Sequence, residues 1–245
     1  MILPVHITLF LLCITPIDSI RLTTACHTAY VYETTIYCAP FTGNSIFVIG
    51  DRGRMQPITF TDNVNYRIYD IAVTPFSCYL NNGRSIEKYY FGSGIRETVF
   101  TANNITSFLV TRNDEILLSD RQKREIIFLD FTYAPRFIME DVSAKDMFYG
   151  DTIMYLLLQD RILLCDEFGN IANETSLSIA AQRIFVYDTT IIVFSPGDEH
   201  IFAITDSVRR IELQHGVGDI AEHGNHIVVL DNHGTTLFIY RKSDF

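Results

Sequence analysis

Of the 245 residues, 48% are hydrophobic, 13% aromatic and 20% charged, which excludes a disordered or fibrous chain. That length suits one sizeable domain or two small ones. Nineteen Lys and Arg against 29 Asp and Glu leave a net charge of −10, so nucleic-acid binding would need a local basic patch, and none is read in the sequence.

Residues 2–17 hold no charged side chain, and Ile7 to Ile14 are strongly apolar before Asp18, Ser19 and Arg21 follow. The run is short and is interrupted by Pro4 and Pro16, so a membrane span is not expected. It reads as a secretory signal peptide over residues 1–19, cut near Ser19, although no Lys or Arg precedes it. A buried N-terminal strand is the alternative. On the first reading the protein is secreted or lumenal, and residues 20–245 form a single domain without stable membrane insertion. On the second it is intracellular, nuclear or cytoplasmic.

Cleavage would remove Cys13 and leave Cys26, Cys38, Cys78 and Cys165, an even number with three pairings open. Their wide spacing resembles neither a disulfide-dense mini-domain nor a metal knuckle, and buried free thiols are the simpler reading. Asn104-Ile105-Thr106 and Asn173-Glu174-Thr175 are sequons that matter only if the chain enters the secretory path.

Helical periodicity is scarce from residue 20 onward. A short apolar strand, a tight polar turn and a second apolar strand recur at 36–50, 76–90, 108–120, 153–166, 190–205 and 226–240. The turns carry Gly43-Asn44, Asn82-Gly83, Asn113-Asp114, Gln159-Asp160, Gly197-Asp198 and His233-Gly234, residues suited to hairpins. The second strands begin at Ile46, Ile86, Ile116, Ile162, Ile201 and Leu237, at intervals of 40, 30, 46, 39 and 36. Each unit has room for four short strands. The pattern predicts an all-β chain, a β-propeller of six short four-stranded blades, with seven as the alternative. A solenoid or a sandwich also fits a repeat of this kind.

Closure follows from the ends. Leu237 to Tyr240 reads as the inner strand of an incomplete blade, and Ile20 to Leu22 with Ala29 to Tyr32 would complete it as a clasp. Residues 1–18 are then surplus. Leu9, 37 residues before Ile46, also falls on the repeat and could add a strand.

The last unit, DIAEHGNHIVVLDNHGTTLF at 219–238, resembles the repeat of the regulator of chromosome condensation family. The matching positions are Ile220-Ala221, Gly224, His226, Leu230, Gly234 and Leu237-Phe238. Ile71-Ala72 with Asn82-Gly83, and Ile46 to Gly53 with Gly50 and Gly53, echo it. The chain departs from the family in its shorter repeats, sparser glycines and lack of tryptophan. The resemblance implies a propeller, of seven blades in that family, and for some members nucleotide exchange on a small GTPase; no exchange-factor contact maps onto a residue here.

Catalytic patterns are weak. His215, His223, His226 and His233 lie within nineteen residues among Asp219, Glu222 and Asp231. Imidazoles beside carboxylates can hold zinc, but alternation along a strand and the repeat explain His226 as a residue bonding a neighbouring backbone group and His233 as a turn residue. Gly92-Ser93-Gly94 lacks a nucleophile elbow, and Gly216-Val217-Gly218 lacks dinucleotide-binding spacing. Asp120, Asp166 and Asp198 read as turn carboxylates. The clusters Arg121-Gln122-Lys123-Arg124, Arg209-Arg210 and Arg241-Lys242 read as solvated turns and edge guards, the first also suiting an acidic partner. Tyr89-Tyr90-Phe91 are candidate interface anchors.

No catalytic, metal or cofactor residue is assigned. The leading expectation is a monomeric, non-catalytic protein-interaction module with a protein partner and no nucleic acid. The alternatives are a guanine-nucleotide exchange factor-like protein, and an enzyme whose polar groups converge in the central channel.

Overall fold

A computed structural model describes residues 11–50, 54–60, 66–111, 113–150 and 152–245. Six antiparallel four-stranded sheets follow one another as the blades of a β-propeller. From the innermost strand outward, blade 1 is Thr28–Tyr32, Thr35–Ala39, Ser45–Ile49 and Met55–Thr59. Blade 2 is Asp70–Val73, Ser77–Asn81, Ser85–Tyr90 and Arg96–Thr101. Blade 3 is Ile105–Val110, Ile116–Asp120, Glu125–Leu129 and Pro135–Glu140. Blade 4 is Asp146–Tyr149, Met154–Leu157, Arg161–Cys165 and Ile171–Ser176. Blade 5 is Arg183–Tyr187, Thr190–Phe194, His200–Ile204 and Val208–Glu212. Blade 6 takes Val217–His223, His226–Asp231 and Thr236–Arg241 from the C-terminal end and Asp18–Arg21 from the N-terminal end.

Burial explains the composition of these strands. The middle strands Ser77–Asn81 and Ile116–Asp120 are buried along their whole length, because blades cover both of their faces. The outer strands Pro135–Glu140 and Ile171–Ser176 are largely exposed; the second is mostly polar, whereas the first keeps Phe137, Ile138 and Met139. One apolar cluster fills each junction between blades; Ile71, Cys78 and Leu80 meet Ala39 and Ile46 at the first of them. Each fully buried Ile or Leu contributes roughly 1.5–3 kcal/mol by leaving water. All five cysteines are free; Cys26, Cys38, Cys78 and Cys165 are buried in these junctions, as the thiol reading expects.

The clasp differs from its expected form. Thr236–Arg241 is the third strand of blade 6, so only one outer strand is missing, and Asp18–Arg21 supplies it through Asp18↔Ile239 to Arg21↔Thr236. Ala29–Tyr32 instead belongs to the innermost strand of blade 1. Residues 11–18 are not surplus: Leu11–Cys13 pairs in parallel with Val208–Glu212 outside blade 5, and Ile14 is buried between blades 5 and 6. Leu9 and Gly53 lie outside the described residues.

The uneven 30 and 46 intervals come from one frame slip. Asn113-Asp114 forms the turn before the second strand of blade 3, whereas the other five turns lie between second and third strands. The third strand of blade 3 begins its apolar run at Ile126. Substituting that start gives intervals of 40, 40, 36, 39 and 36.

Candidate functional site

Every innermost strand starts on the same face, here the upper face, and ends on the lower one. The residues near those starts are Thr28, Asp70, Ser107, Asp146, Arg183 and Asp219, one from each blade in order. Around the ring, carboxylate acceptors on blades 2, 4 and 6 alternate with hydroxyl or guanidinium donors on blades 1, 3 and 5. Thr28 Oγ1 donates to Asp219 Oδ2 at 2.8 Å and reaches Asp70 Oδ1 at 3.3 Å. Ser107 Oγ donates to Asp146 Oδ1 at 2.9 Å. Two carboxylates also tie successive blades through backbone: Ala29 N donates to Asp219 Oδ2 and Ile184 N to Asp146 Oδ2, both at 2.9 Å.

Arg183 supplies the one cation of the ring, its Nη1 lying 3.8 Å from Asp70 Oδ2 and 3.7 Å from Asp146 Oδ1. Burial works against the Arg183 cation, but Asp146, Asp219 and Asp70 outweigh it and hold its pKa above the usual value. Desolvation pushes the Asp70 carboxyl up to about 7, reinforced by Asp219 and Asp146 and opposed by Arg183. The Asp70 side chain keeps 21% of its surface exposed, so its desolvation is partial. Burial also raises Asp146, against Arg183 and the donors from Ile184 and Ser107. Nearby, burial and then Arg183 lower the pKa of His27, favouring a neutral imidazole.

Sequence reasoning missed this ring because its members differ in type and stand 36 to 42 residues apart. One signal was available. Asp70-Ile71-Ala72 and Asp219-Ile220-Ala221 repeat a carboxylate immediately before the matched Ile-Ala pair.

The histidine cluster is divided between the two faces. His215 lies near the upper face, stacked on Phe238 with ring centroids 3.6 Å apart, and its Nε2 is 2.7 Å from the Tyr240 hydroxyl. His233 belongs to an upper turn, while His223 and His226 face one another at the lower end of blade 6. It is His223, rather than His226, whose Nε2 meets a neighbouring backbone group, Thr34 O, at 2.9 Å. Among the described residues no group of three or more His, Cys, Asp or Glu is arranged to hold a metal ion. Asp120 and Asp166 cap their own turns, accepting from Gln122 N and Phe168 N.

The lower face carries exposed apolar side chains. Phe76 is 79% and Phe131 69% exposed, and Ile95, Ile153 and Phe168 occupy other lower turns of blades 2–4. Of the anticipated anchors, Tyr89 is buried in the junction of blades 1 and 2, and Phe91 packs against that junction; the exposed groups are their neighbours Phe76 and Ile95. Lys88 stiffens the floor beneath them. Its Nζ donates to the Tyr133 hydroxyl at 2.8 Å, lies 3.3 Å from Asp114, and sits about 5 Å above the rings of Tyr79 and Tyr90. Carboxylates outnumber cations in the described lower turns and C-terminal segment: Glu33, Asp114, Glu115, Asp130, Asp166, Glu167, Asp188, Asp206 and Asp244 stand against Arg54 and Lys242.

No family model matches the chain, and no curated protein matches it. Solved structures do. A streptogramin B lyase is 11% identical with a TM-score of 0.65, over 92% of this chain and 97% of the other. Virginiamycin B lyase from Staphylococcus aureus is 13% identical with a TM-score of 0.61, over 91% and 87%. A chain of the mitotic checkpoint complex is 8% identical with a TM-score of 0.65, over 93% and 95%. At these identities the likeness establishes the propeller fold alone, and it spans lyases and a checkpoint assembly.

Proposed function

We propose that this protein is a non-catalytic propeller that docks a protein partner on its lower face, the partner contributing a basic segment with apolar side chains. The observation that carries this reading is the set of exposed Phe76, Ile95, Phe131, Ile153 and Phe168 on adjoining blades, within a rim rich in carboxylates. Solvated aromatic and aliphatic groups clustered on one face are what a binding partner covers. An acidic rim selects and steers a cationic segment. The central ring supports the non-catalytic part. Its carboxylates spend their oxygens on Thr28, Ser107, Arg183 and backbone donors, so the polar groups serve to join blades.

Peptide selection on the immobilised protein tests the reading. The enriched sequences are expected to combine Lys or Arg with aromatic or aliphatic residues, and the doubly substituted Phe76→Ser/Phe131→Ser protein is expected to lose them about 100-fold while keeping its Tm. Enrichment of acidic peptides, or enrichment that survives the double substitution, would refute it.

For location, the use of Leu11–Cys13, Ile14 and Asp18–Arg21 in blades 5 and 6 favours their staying with the folded domain. That supports the intracellular reading over export with a cut near Ser19. N-terminal sequencing of the protein from its source is expected to find residues 11–19 attached. A start near Ser19 would overturn this and place the protein in the secretory path.

A further inference from the structure

The upper face carries a cleft of about 740 Å³ beside blades 2 and 3, lined by Arg67, Tyr69, Arg84, Asn103 and Asn104 with the Asn82-Gly83 turn. That volume suits a small ligand. Its walls are built rather than incidental. Asn82 Oδ1 accepts from Arg84 N and Ser85 N, Ile105 N donates to Gly83 O, and Tyr69 N donates to Asn81 O. Gly83 has φ +85°, and a Cβ there would lie 2.8 Å from the Tyr69 ring, so glycine is what allows that ring to lie against the turn. The backbone bond from Arg121 N to Asn104 O, 2.9 Å, attaches the Arg121–Arg124 turn to the cleft rim.

Charge here opposes the charge of the molecule. Arg67 and Arg84 are exposed and make no ion pair with any described residue, and the Arg121–Arg124 turn extends the cationic tract onto blade 3. Three further properties select among anions. Guanidinium groups read a carboxylate, sulfate or phosphate with paired donors. The carboxamides of Asn103 and Asn104 both donate and accept, which matches hydroxyl groups rather than a bare anion. The single ring of Tyr69 offers one apolar surface, fewer than the serial stacking platforms that single-stranded nucleic acid uses. We infer that this cleft binds an anionic saccharide, with Arg67 and Arg84 on its acidic groups, Asn103 and Asn104 on its hydroxyls, and Tyr69 against the sugar ring.

The test uses the full chain, made without glycosylation because Asn104 also heads a sequon. A sulfated hexasaccharide and a hexose phosphate are titrated as probes, with a neutral maltohexaose, polyglutamate and a single-stranded oligonucleotide as comparators. At least one anionic sugar is expected to bind, and Arg67→Gln and Arg84→Gln are each expected to weaken it about 10-fold with Tm unchanged. The tighter of the two probes identifies whether the acid is a sulfate or a phosphate. Three results would overturn the inference: neither sugar binds, binding ignores both substitutions, or polyglutamate or the oligonucleotide binds at least as tightly.

Discussion

Arg183→Met is expected to destabilise the propeller by about 3 kcal/mol, because removing one partner of a buried ion cluster leaves the opposing charges uncompensated. In a domain of this size that lowers Tm by about 6–12 °C. The loss should depend on pH in a defined direction. A carboxyl whose pKa rises on folding, as that of Asp70 does to about 7, holds its proton more tightly in the folded state. The stability it lends is complete below its unfolded value of about 4 and is lost as pH rises through about 7. Wild-type stability from this group therefore declines between those values. Without Arg183, the groups facing Asp70 are the carboxylates of Asp146 and Asp219, the Thr28 hydroxyl and the Tyr30 phenol. Ionisation then becomes harder, so the Arg183→Met defect should be smaller at pH 5 than at pH 8. Asp70→Asn in the same background should restore part of the loss at pH 8. Equal losses at both pH values would refute the ionic account of the ring.

The second large effect is expected at the clasp. Gly234 has φ +69°, and a Cβ there would lie 1.8 Å from Cys26 O and 2.7 Å from Cys26 N. The clash is with backbone that cannot swing away, because Cys26 N also donates to Gly234 O at 2.8 Å. This joint holds the strand entering blade 1 against the last blade. Gly234→Ala should cost about 4 kcal/mol, in the range where single substitutions signal a specific structural failure. Gly197→Ala is the matched comparison. It occupies the corresponding turn of blade 5 at φ +100° with nothing within 4 Å, so it should cost only about 1–2 kcal/mol of backbone strain. Equal Tm shifts for the two variants would show that the joint does not hold the ring.

These two positions mark what the sequence did and did not reveal. Blade number and period were legible because each blade repeats an apolar run and a turn of Asn, Asp or Gly. The same turn chemistry caused the slip in blade 3, where Asn113-Asp114 imitates the turn one strand further on. The clasp was legible as a need for a partner to Thr236–Arg241, and the strand count was wrong because periodicity does not tell an inner strand from a third one. Arg183 and its three carboxylates were not legible, since strands from different blades bring them together from distant positions. The exposed phenylalanines look like core residues in sequence; only the closed ring places Phe76 and Phe131 in lower turns, outside every junction.

The docking claim is tested most directly by hydrogen exchange with a selected basic peptide bound. Protection is predicted in the lower turns of blades 2–4, at residues 74–76, 91–95, 130–134 and 166–170, with no change at the strand starts that carry Asp70, Asp146 and Arg183. Protection confined to those strand starts, with the lower turns unaffected, would contradict the account and move the working site to the central channel.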